Sequence, residues 1–255
     1  MLVLYMLSQV YKPKEYDWAP TLQSNDKDPY GTFILYQQIK ELFPSTSIQS
    51  HRIPVYNLLH NNYEYNTAYV FIEPEFNPGE PDTKELLEYA EAGNTVFISC
   101  DAIEGPLADS LGFRVTDEAD FFSGDSSVLN LVNPKLKMAQ GIGFKKATIT
   151  GYFDSLRAVD SIVVLGVKND SLPNFIKLQY GQGAFLLHTA PISFTNAFML
   201  TKNHHDYVSK VLSYLPADIE TLHWDEYYKQ GREGPSTPLR FFLTQEYLKW
   251  ALWIA

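Results

Sequence analysis

Two short apolar runs separated by one amphipathic segment constrain the fold of this chain more than any other feature. Residues 67–72 (TAYVFI) and 94–99 (NTVFIS) each contain an unbroken run of apolar residues, which is typical of parallel strands buried on both faces. Between them, Asp82 is a candidate N-cap, Glu85 would complete a capping box, and Gly93 is a candidate C′ residue. This order of strand, helix, glycine and strand predicts a βαβ unit with a right-handed crossover.

The remaining patterns predict an open α/β sheet with an inserted or appended antiparallel section. The expected helical segments are residues 29–43, 56–61, 82–92, 107–111 and 195–215. The other expected strands are residues 47–55, 128–131, 144–150, 161–167, 175–180, 184–189 and 221–224. A tight turn at Gly181 and Gly183 indicates that residues 174–189 form a hairpin.

Charge and cysteine content exclude some classes of function. The chain of 255 residues has a formal net charge of -10, which repels phosphate backbones and argues against a nucleic-acid partner. The single cysteine, Cys100, excludes an intramolecular disulfide. A chain with so little cysteine is equally compatible with a reducing cytoplasm and with a periplasm.

Both ends of the sequence are apolar. Residues 1–10 are too few to span a bilayer, which takes about 20 apolar residues, and they lack the basic start of a signal peptide. Residues 239–255 become more apolar toward the last residue, and two tryptophans there suit a membrane interface. The N-terminal run could instead be a buried first strand or helix, and the C-terminal run could be an amphipathic helix that docks on the core. We expect an N-terminal transmembrane stub or linker at 1–17, one α/β domain at 18–238, and the start of a second transmembrane helix at 239–255.

No catalytic or metal-binding constellation stands out. Cys100 follows a predicted strand, but no glycine flanks it, and the neighbouring Asp101 would raise its thiol pKa. His204 and His205 are adjacent, so their side chains diverge on a helix and predict an exposed helix start rather than a chelate. No glycine-rich phosphate loop is present. We therefore assign no catalytic residue, no cofactor and no metal, and we keep a hydrolase that uses Cys100 as an alternative.

Two polar-aromatic clusters are the strongest candidates for a binding surface, because aromatic rings beside carboxylates are common at recognition sites. In the first cluster, Asp28 and Pro29 fit a helix N-cap and N1 position, but their neighbours have no such explanation. The second cluster covers residues 224–228 (WDEYY). The full candidate surface comprises Trp18, Asp26, Tyr30, Thr32, Asp101, His188, Asn196, Trp224, Asp225, Glu226 and Tyr227.

His188 stands at a predicted strand end and allows two interpretations. It could hydrogen-bond the following turn, which is the structural role we favour. It could also line a cleft at the carboxyl edge of the sheet, where α/β proteins bind ligands. In that case Asp101, Asn196 and His188 would belong to a small-ligand sensor.

Several segments, taken in order, resemble one uncharacterised bacterial family, the domain of unknown function 4350. They are residues 18–21 (WAPT), 26–32 (DKDPYGT), 181–183 (GQG), 188–191 (HTAP), Asn196, 224–228 (WDEYY) and 238–240 (PLR). The resemblance spans nearly the whole chain. It implies a flavodoxin-like, class I glutamine-amidotransferase-like three-layer sandwich, here with an appended antiparallel β section.

The resemblance also implies a cellular setting. It places the domain between two transmembrane helices in the inner membrane, with the domain in the periplasm, mostly in bacteria of the Bacteroidetes group. It points to genes encoded near MoxR-type ATPases and von Willebrand A-like proteins, and to auxiliary domains of gliding-type transport systems. The family has no assigned catalytic residues. We therefore expect a membrane-anchored, non-catalytic binding or scaffold domain with protein partners in a membrane complex.

Overall fold

The computed structural model describes residues 16–62, 64–117, 127–143, 151–156 and 162–230. The helices are α1 (Phe33–Leu42), α2 (Val55–Leu59), α3 (Glu80–Glu91), α4 (Pro106–Leu111), α5 (Asn196–Met199), α6 (His204–Leu212) and α7 (Tyr227–Gln230), with a 3-10 helix at Pro191–Phe194. The first strands are β1 (Ser47–His51), β2 (Thr67–Ile72), β3 (Glu75–Phe76), β4 (Thr95–Ser99), β5 (Ala102–Ile103), β6 (Phe113–Asp117) and β7 (Val128–Leu131). The later strands are β8 (Ile142–Gly143), β9 (Gly151–Leu156), β10 (Ile162–Lys168), β11 (Leu172–Tyr180), β12 (Gly183–His188) and β13 (Thr221–Asp225).

One large mixed sheet organises the described residues. Its strand order is β1-β13-β2-β4-β12-β11-β10-β7-β8. The first five strands run parallel to one another, and each remaining strand pairs antiparallel with its neighbour. Two small sheets pair β3 with β5 and β6 with β9. The fold is therefore a mixed α/β domain whose parallel half continues into an antiparallel section.

Helices cover both faces of the parallel half, and β2 shows how the sequence specifies this. Ala68, Val70 and Ile72 point to one hydrophobic core, while Tyr69 and Phe71 point to the other. All are at most 1% exposed. The first core also contains side chains of α1 and α6, and the second contains side chains of α2, α3 and α4. Burial on two faces explains the unbroken apolar run, and each large side chain contributes about 1.5–3 kcal/mol.

The predicted βαβ unit and hairpin are confirmed. The strand predicted at 67–72 has these bounds in β2, and Gly93 ends α3 with a φ of +110°. β11 and β12 pair from Phe175↔His188 to Tyr180↔Gly183. Glycine is required at position 183, because a Cβ there would lie 2.0 Å from the backbone oxygen of Asn94.

Two helix starts differ from the sequence-based prediction. The first helix begins at Phe33 rather than at residue 29, and its N-cap is Thr32, so the N-cap prediction for Asp28 is wrong. Helix α3 begins at Glu80 with Gly79 as N-cap and no capping side chain, so the capping-box prediction is also wrong. Asp82 instead accepts hydrogen bonds from other parts of the chain, as described below.

The single helix predicted at 195–215 is two helices, α5 and α6. The chain breaks at Asn203, whose φ of +66° is left-handed and cannot continue a right-handed helix. His204 starts α6 but is only 6% exposed, which corrects the prediction of an exposed pair. The strand predicted at 144–150 lies outside the described residues.

The predicted membrane segments at 1–10 and 239–255 also lie outside the described residues. Within the part of the chain that is described, no helix is both long enough and apolar enough to cross a membrane.

Candidate functional site at the carboxyl edge of the sheet

The five parallel strands end at one edge of the sheet, which we call the carboxyl edge. Open α/β sheets bind their ligands outside this edge. The residues at or just after the strand ends carry polar or titratable side chains: His51, Asp225, Glu73, Cys100 and His188. This edge is therefore the first place to look for a functional site.

A buried carboxylate cluster, consisting of Glu73, Asp225 and Glu226, occupies the centre of the carboxyl edge. Their exposed fractions are 0%, 0% and 2%. The side chain of Lys229 reaches into the cluster from α7 and is itself fully buried. Its Nζ lies 3.3 Å from Oε1 of Glu226, 4.0 Å from Oε1 of Glu73 and 2.8 Å from the backbone oxygen of Asp225. The same nitrogen lies 4.9 Å from the centre of the Trp224 ring.

The pKa values of the three carboxyl groups do not all shift in the same direction. Burial raises the pKa of Glu73 well above its usual value despite the nearby Lys229, and the Asp225 carboxyl adds to this. Burial also raises the pKa of Asp225 to about 6. Burial opposes ionisation of Glu226 as well, but Lys229 and hydrogen bonds from Ser24 and Trp224 lower its pKa overall. Burial therefore favours the neutral form of the Glu73 carboxyl, and Lys229 lies where it can balance the charge of Glu226.

Glu226 joins three parts of the chain. Its Oε1 accepts hydrogen bonds from Nε1 of Trp224 at 2.8 Å and from the backbone nitrogen of Ser24 at 3.0 Å. The Trp224 ring is fully buried and packs edge-on against Tyr36 of α1. The carboxylate thus anchors the loop before α1 to the end of β13.

Helix α7 covers the edge through Tyr228. Its backbone nitrogen donates to Oδ2 of Asp225 at 2.9 Å, and its hydroxyl donates to Oδ2 of Asp82 at 2.6 Å. Its ring packs against Phe71 and Phe76. Asp82 also accepts a hydrogen bond from the backbone nitrogen of Tyr56 at 2.7 Å. One carboxylate on α3 therefore fastens both α2 and α7.

His188 is buried within the domain. Nδ1 lies 2.9 Å from the Ser99 hydroxyl, and Nε2 lies 3.1 Å from the hydroxyl of Tyr207 on α6. Burial lowers the pKa of His188 to about 3, so the ring is neutral. The structural interpretation fits this environment, and the interpretation as an open cleft residue is wrong.

Cys100 lies next to the carboxylate cluster and is fully buried. Its backbone nitrogen donates to the oxygen of His188 at 3.0 Å. Burial raises its thiol pKa well above the usual value, and Asp101 and Glu73 raise it further. The thiolate, which is the nucleophilic form, is disfavoured. Nothing in this environment activates Cys100.

Asn196 holds the loop that precedes α1. Its Nδ2 donates to the backbone oxygens of Asp26 at 2.9 Å and Asp28 at 2.8 Å, and its Oδ1 accepts from the nitrogen of Ile34 at 2.9 Å. The loop folds tightly, because a Cβ at Gly31 would lie 2.2 Å from the Asp26 oxygen. Asn196 is thus a positioning residue for the first polar-aromatic cluster rather than a surface residue.

The eleven predicted surface residues divide into two groups. Six are at most 3% exposed, which corrects the prediction that they form a surface: Thr32, His188, Asn196, Trp224, Asp225 and Glu226. The other five retain some or much of their exposure: Trp18, Asp26, Tyr30, Asp101 and Tyr227. Trp18 is 49% exposed and packs edge-on against Tyr30 with ring centres 5.5 Å apart. Part of the N-terminal cluster therefore faces solvent, and the core of the other cluster does not.

Sequence reasoning missed a row of three side chains within hydrogen-bond distance of one another. They are His51 of β1, His223 of β13 and Glu64, which precedes β2. Nε2 of His51 lies 2.9 Å from Nδ1 of His223, and Nε2 of His223 lies 2.5 Å from Oε2 of Glu64. Burial and the neighbouring His223 lower the pKa of His51 to about 4. No local pattern indicates this arrangement, because β1 and β13 are neighbours in space but far apart in sequence.

A cavity of about 330 Å³ lies at the opposite, amino edge of the sheet, with His60, Glu64, Glu85 and Tyr89 in its wall. Among the described residues, no group of three or more histidine, cysteine, aspartate or glutamate side chains could hold a metal ion.

The fold and the edge together define a class of protein. It is a mixed α/β domain with helices on both faces of its sheet, whose strand ends are covered by the domain's own buried side chains. The chain belongs to the DUF4350 family, a domain of unknown function, whose model matches residues 24–212. No curated protein matches this chain.

Solved structures resemble the fold at low sequence identity. The mmIFT52 N-terminal domain has a TM-score of 0.54 at 13% identity, with 75% of this chain and 91% of that chain covered. The exo-β-1,4-mannosidase Op5Man5 from Opitutaceae bacterium strain TAV5 has a TM-score of 0.45 at 12% identity, covering 80% of this chain and 34% of that one. A β-galactosidase from Rahnella sp. R3 has a TM-score of 0.37 at 13% identity, covering 60% and 23%. This chain thus spans about a third or less of those two enzymes.

Proposed function

We propose that this protein is a non-catalytic binding or scaffold domain, anchored to a bacterial inner membrane by flanking helices and exposed to the periplasm. One observation carries the non-catalytic part. The carboxyl edge, where an α/β enzyme would hold its substrate, is filled by the domain's own buried side chains. The role left for the domain is to present its outer surface to other proteins.

The environment of Cys100 weighs against the alternative of an amidotransferase-like hydrolase. A nucleophilic cysteine needs solvent access and a lowered pKa, whereas Cys100 is buried with a raised pKa. The backbone oxygen of His188 accepts a hydrogen bond from the Cys100 nitrogen, but the ring nitrogens of His188 lie beside the hydroxyls of Ser99 and Tyr207. The small-ligand sensor also loses support, because Asn196 and His188 are both buried.

The proposal of two membrane anchors is supported by a contact between Ser24 and Glu226. The hydrogen bond between Ser24 and Glu226 brings the first and last described segments together at the carboxyl edge. A chain that leaves this edge in both directions can enter one membrane without crossing the domain. The apolar runs at 1–10 and 239–255 would be the membrane-entering segments.

We also propose that the fold is related to the flavodoxin-like, glutamine-amidotransferase-like α/β fold. The helix layers on both faces of the parallel half support it. The strand order β1-β13-β2-β4-β12 differs from the flavodoxin order, in which the second strand along the chain lies at the edge beside the first. The likeness to the mmIFT52 N-terminal domain supports a shared fold and says nothing about shared partners.

The family resemblance suggests partners in a membrane complex linked to MoxR-type ATPases or to gliding-type transport. The test is to isolate the natural full-length protein from solubilised membranes and to identify proteins that co-purify. A matched variant, Trp18→Ala, alters an exposed aromatic side chain of the N-terminal cluster. Specific partners, lost or weakened in this variant, are expected. Absence of any partner, with full recovery of the protein without detergent, would overturn the proposal.

A further inference from the structure

Strand β1 is one of the two edges of the large sheet, and its side chains are largely open to solvent. It stands first in the strand order, so its neighbour among the described strands is β13 alone. Three of its five side chains are exposed and the other two are partly buried. The opposite edge, β8, is only two residues long, and a very short edge strand is one way in which proteins prevent unwanted pairing. The edge at β1 is longer and has no such protection.

The pairing of β1 with β13 shows which backbone groups point outward. The Ser47 nitrogen donates to the Glu220 oxygen at 2.8 Å, so Ser47 faces β13. In a parallel pair, alternate residues turn their N–H and C=O groups toward the same neighbour, so Ile48 and Ser50 turn theirs away from β13. No hydrogen bond within the described part of the chain uses these outward groups. The outer side of β1 therefore presents two donors and two acceptors with the spacing of a strand.

The sequence of β1 lacks the other features that keep a sheet edge from pairing. Charged side chains, proline and β-bulges are the usual ones. The strand reads SIQSH, without a carboxylate, lysine, arginine or proline, in a chain whose formal net charge is -10. Its register with β13 is continuous and contains no bulge. This uncharged, regular edge is suited to receive another strand.

The side chains beside the open edge indicate what kind of segment fits. On one face, Ile48 packs against the first hydrophobic core, and Tyr36 of α1 lies beside Ser50. The other face carries the polar side chains of Gln49 and His51. Successive side chains of an added strand would point to these two faces in turn. The matching segment is therefore an extended chain in which apolar and polar residues alternate.

A second copy of this chain does not fit the edge if the domain is anchored as proposed. Two identical strands pair antiparallel about a two-fold axis perpendicular to the sheet, so the carboxyl edges of the two copies would point in opposite directions. Because the proposed anchors leave each domain at its carboxyl edge, the two copies could not enter one membrane. Parallel pairing does not form a two-fold dimer, since outward residues of one strand must lie opposite inward residues of the other.

We propose that the outer side of β1, at Ile48 and Ser50, is a docking site for an extended segment of a partner protein, which joins the sheet as an additional strand. In this mode of recognition, backbone hydrogen bonds supply the affinity and the alternating side chains supply the specificity. The choice of a partner protein rather than a second copy rests on the proposed membrane anchoring. The open hydrogen-bonding edge itself does not depend on the anchors.

Proline at position 50 tests the docking site without breaking the sheet. The Ser50 N–H points away from β13, so Ser50→Pro removes an outward donor and leaves the hydrogen bonds between β1 and β13 in place. Ser50→Ala is the matched control, because it removes the same hydroxyl and keeps the outward donor. The melting temperatures of the two variants should agree within about 3 °C, since neither loses a bond of the sheet.

A photocrosslinking residue in place of the exposed Gln49 reports what lies on the edge. In cells that make the natural full-length protein with p-benzoylphenylalanine at this position, irradiation should join it to a second protein, within a segment of alternating apolar and polar residues. The yield should fall at least about tenfold with Ser50→Pro and stay unchanged with Ser50→Ala. The absence of a crosslink, a crosslink to a second copy or to residues 1–10 of the same chain, or a yield that proline does not change would overturn the proposal.

If Ser50→Pro does not fold, hydrogen exchange in the natural chain provides the test. In the full-length protein purified in detergent, the Ile48 and Ser50 amides should exchange rapidly, whereas the Gln49 amide, which faces β13, should be protected. A synthetic peptide with the sequence of the crosslinked segment should slow exchange at both outward amides at least about tenfold, and a scrambled peptide should not. Outward amides that are already protected in the purified protein, or that the peptide leaves unprotected, would contradict the docking site.

Carbonate extraction of the same membranes separates this proposal from that of the anchors. Protein that carbonate releases, but that crosslinks to a partner at position 49 in a proline-sensitive way, would refute the anchors and support the docking site. Protein that stays in the membrane pellet without such a crosslink would support the anchors and refute the docking site.

Discussion

The Oε1 atom of Glu226 lies 3.0 Å from the backbone nitrogen of Ser24, and this hydrogen bond joins residues that are 202 positions apart. The same oxygen is the acceptor for the Trp224 indole and the ion-pair partner of Lys229. One buried carboxylate therefore connects the loop before α1, the last strand and α7. This relationship closes the carboxyl edge and holds Ser24 beside the end of β13.

The hydrogen bonds that Asn196 makes with the loop before α1 should contribute strongly to the stability of the fold. Asn196→Ala removes three hydrogen bonds and leaves the Ile34 nitrogen and two loop oxygens without their partner. We expect the free energy of unfolding to fall by about 3 kcal/mol. Urea unfolding measures this, with the exposed Asn25→Ala as control. A loss equal to that of the control would contradict the positioning role.

Asp82 should control how firmly α7 is held. Asp82→Ala removes the acceptor of the Tyr228 hydroxyl and of the Tyr56 nitrogen. We expect hydrogen exchange of the α7 amides to accelerate about tenfold, the equivalent of about 1.4 kcal/mol, while β2 stays protected. Asp109→Ala on the exposed side of α4 is the control. Equal exchange in both variants would show that α7 is held by other contacts.

The carboxyl group of Asp225 should make folding less favourable as pH rises. Its pKa is about 6 in the folded protein and 3.8 for an ordinary aspartate, so the folded state retains the proton to higher pH. Its stabilising contribution is complete below about pH 4 and is lost as pH rises through 6. The natural protein should lose about 2 kcal/mol relative to Asp225→Asn between pH 4 and 7. Urea unfolding at several pH values tests this, with the exposed Asp218→Asn as control. A constant difference would contradict the raised pKa.

His188 should make the folded protein less stable as pH falls. Its pKa of about 3 lies below the ordinary histidine value of 6.5, so the unfolded state binds the proton first as pH falls. The stability contributed by neutral His188 is complete above about pH 6.5 and is lost as pH falls toward 3. His188→Gln removes this titration, and the acid-unfolding midpoint should move to lower pH. The exposed His205→Gln should leave the midpoint unchanged. A midpoint that moves to higher pH in His188→Gln would show that lost hydrogen bonds outweigh the titration.

Cys100 should resist alkylation in the folded protein. With the thiol buried and its pKa raised, iodoacetamide at pH 7.5 should label it only when the domain opens. Mass spectrometry should show labelling that follows the unfolded fraction in urea. Rapid labelling without urea would instead support the hydrolase alternative.

The parts of the fold that could be predicted are those with local causes. The strand β2 is apolar throughout because helices cover both of its faces, and the β11–β12 turn requires glycine where the backbone passes close to Asn94. The short pairs β3–β5 and β6–β9 were missed, because long-range pairing of a few residues leaves no periodic pattern. Asn203 could not be foreseen as a helix break, because asparagine is only moderately unfavourable inside helices.

The sequence pointed to the polar-aromatic run at 224–228 but did not indicate that its first three residues are buried. Residues 224–228 combine aromatic rings with carboxylates, a composition that suits an exposed recognition surface as well as a buried ion pair. The deciding residue is Lys229, because a cation on the next helical turn allows Asp225 and Glu226 to be buried. Its partner Glu73 comes from another strand, so the pairing depends on the strand order, which the local sequence does not contain.

The central claim, a scaffold domain anchored in a membrane and facing the periplasm, is tested most directly in the natural full-length protein. Cys100→Ser combined with Lys137→Cys places one exposed thiol on the domain. Intact cells are treated with a membrane-impermeant maleimide once the outer membrane is opened, and their membranes are then washed with alkaline carbonate. The account predicts labelled protein that stays in the membrane pellet. Protein that the carbonate releases, or that is labelled only after the inner membrane is opened, would contradict it.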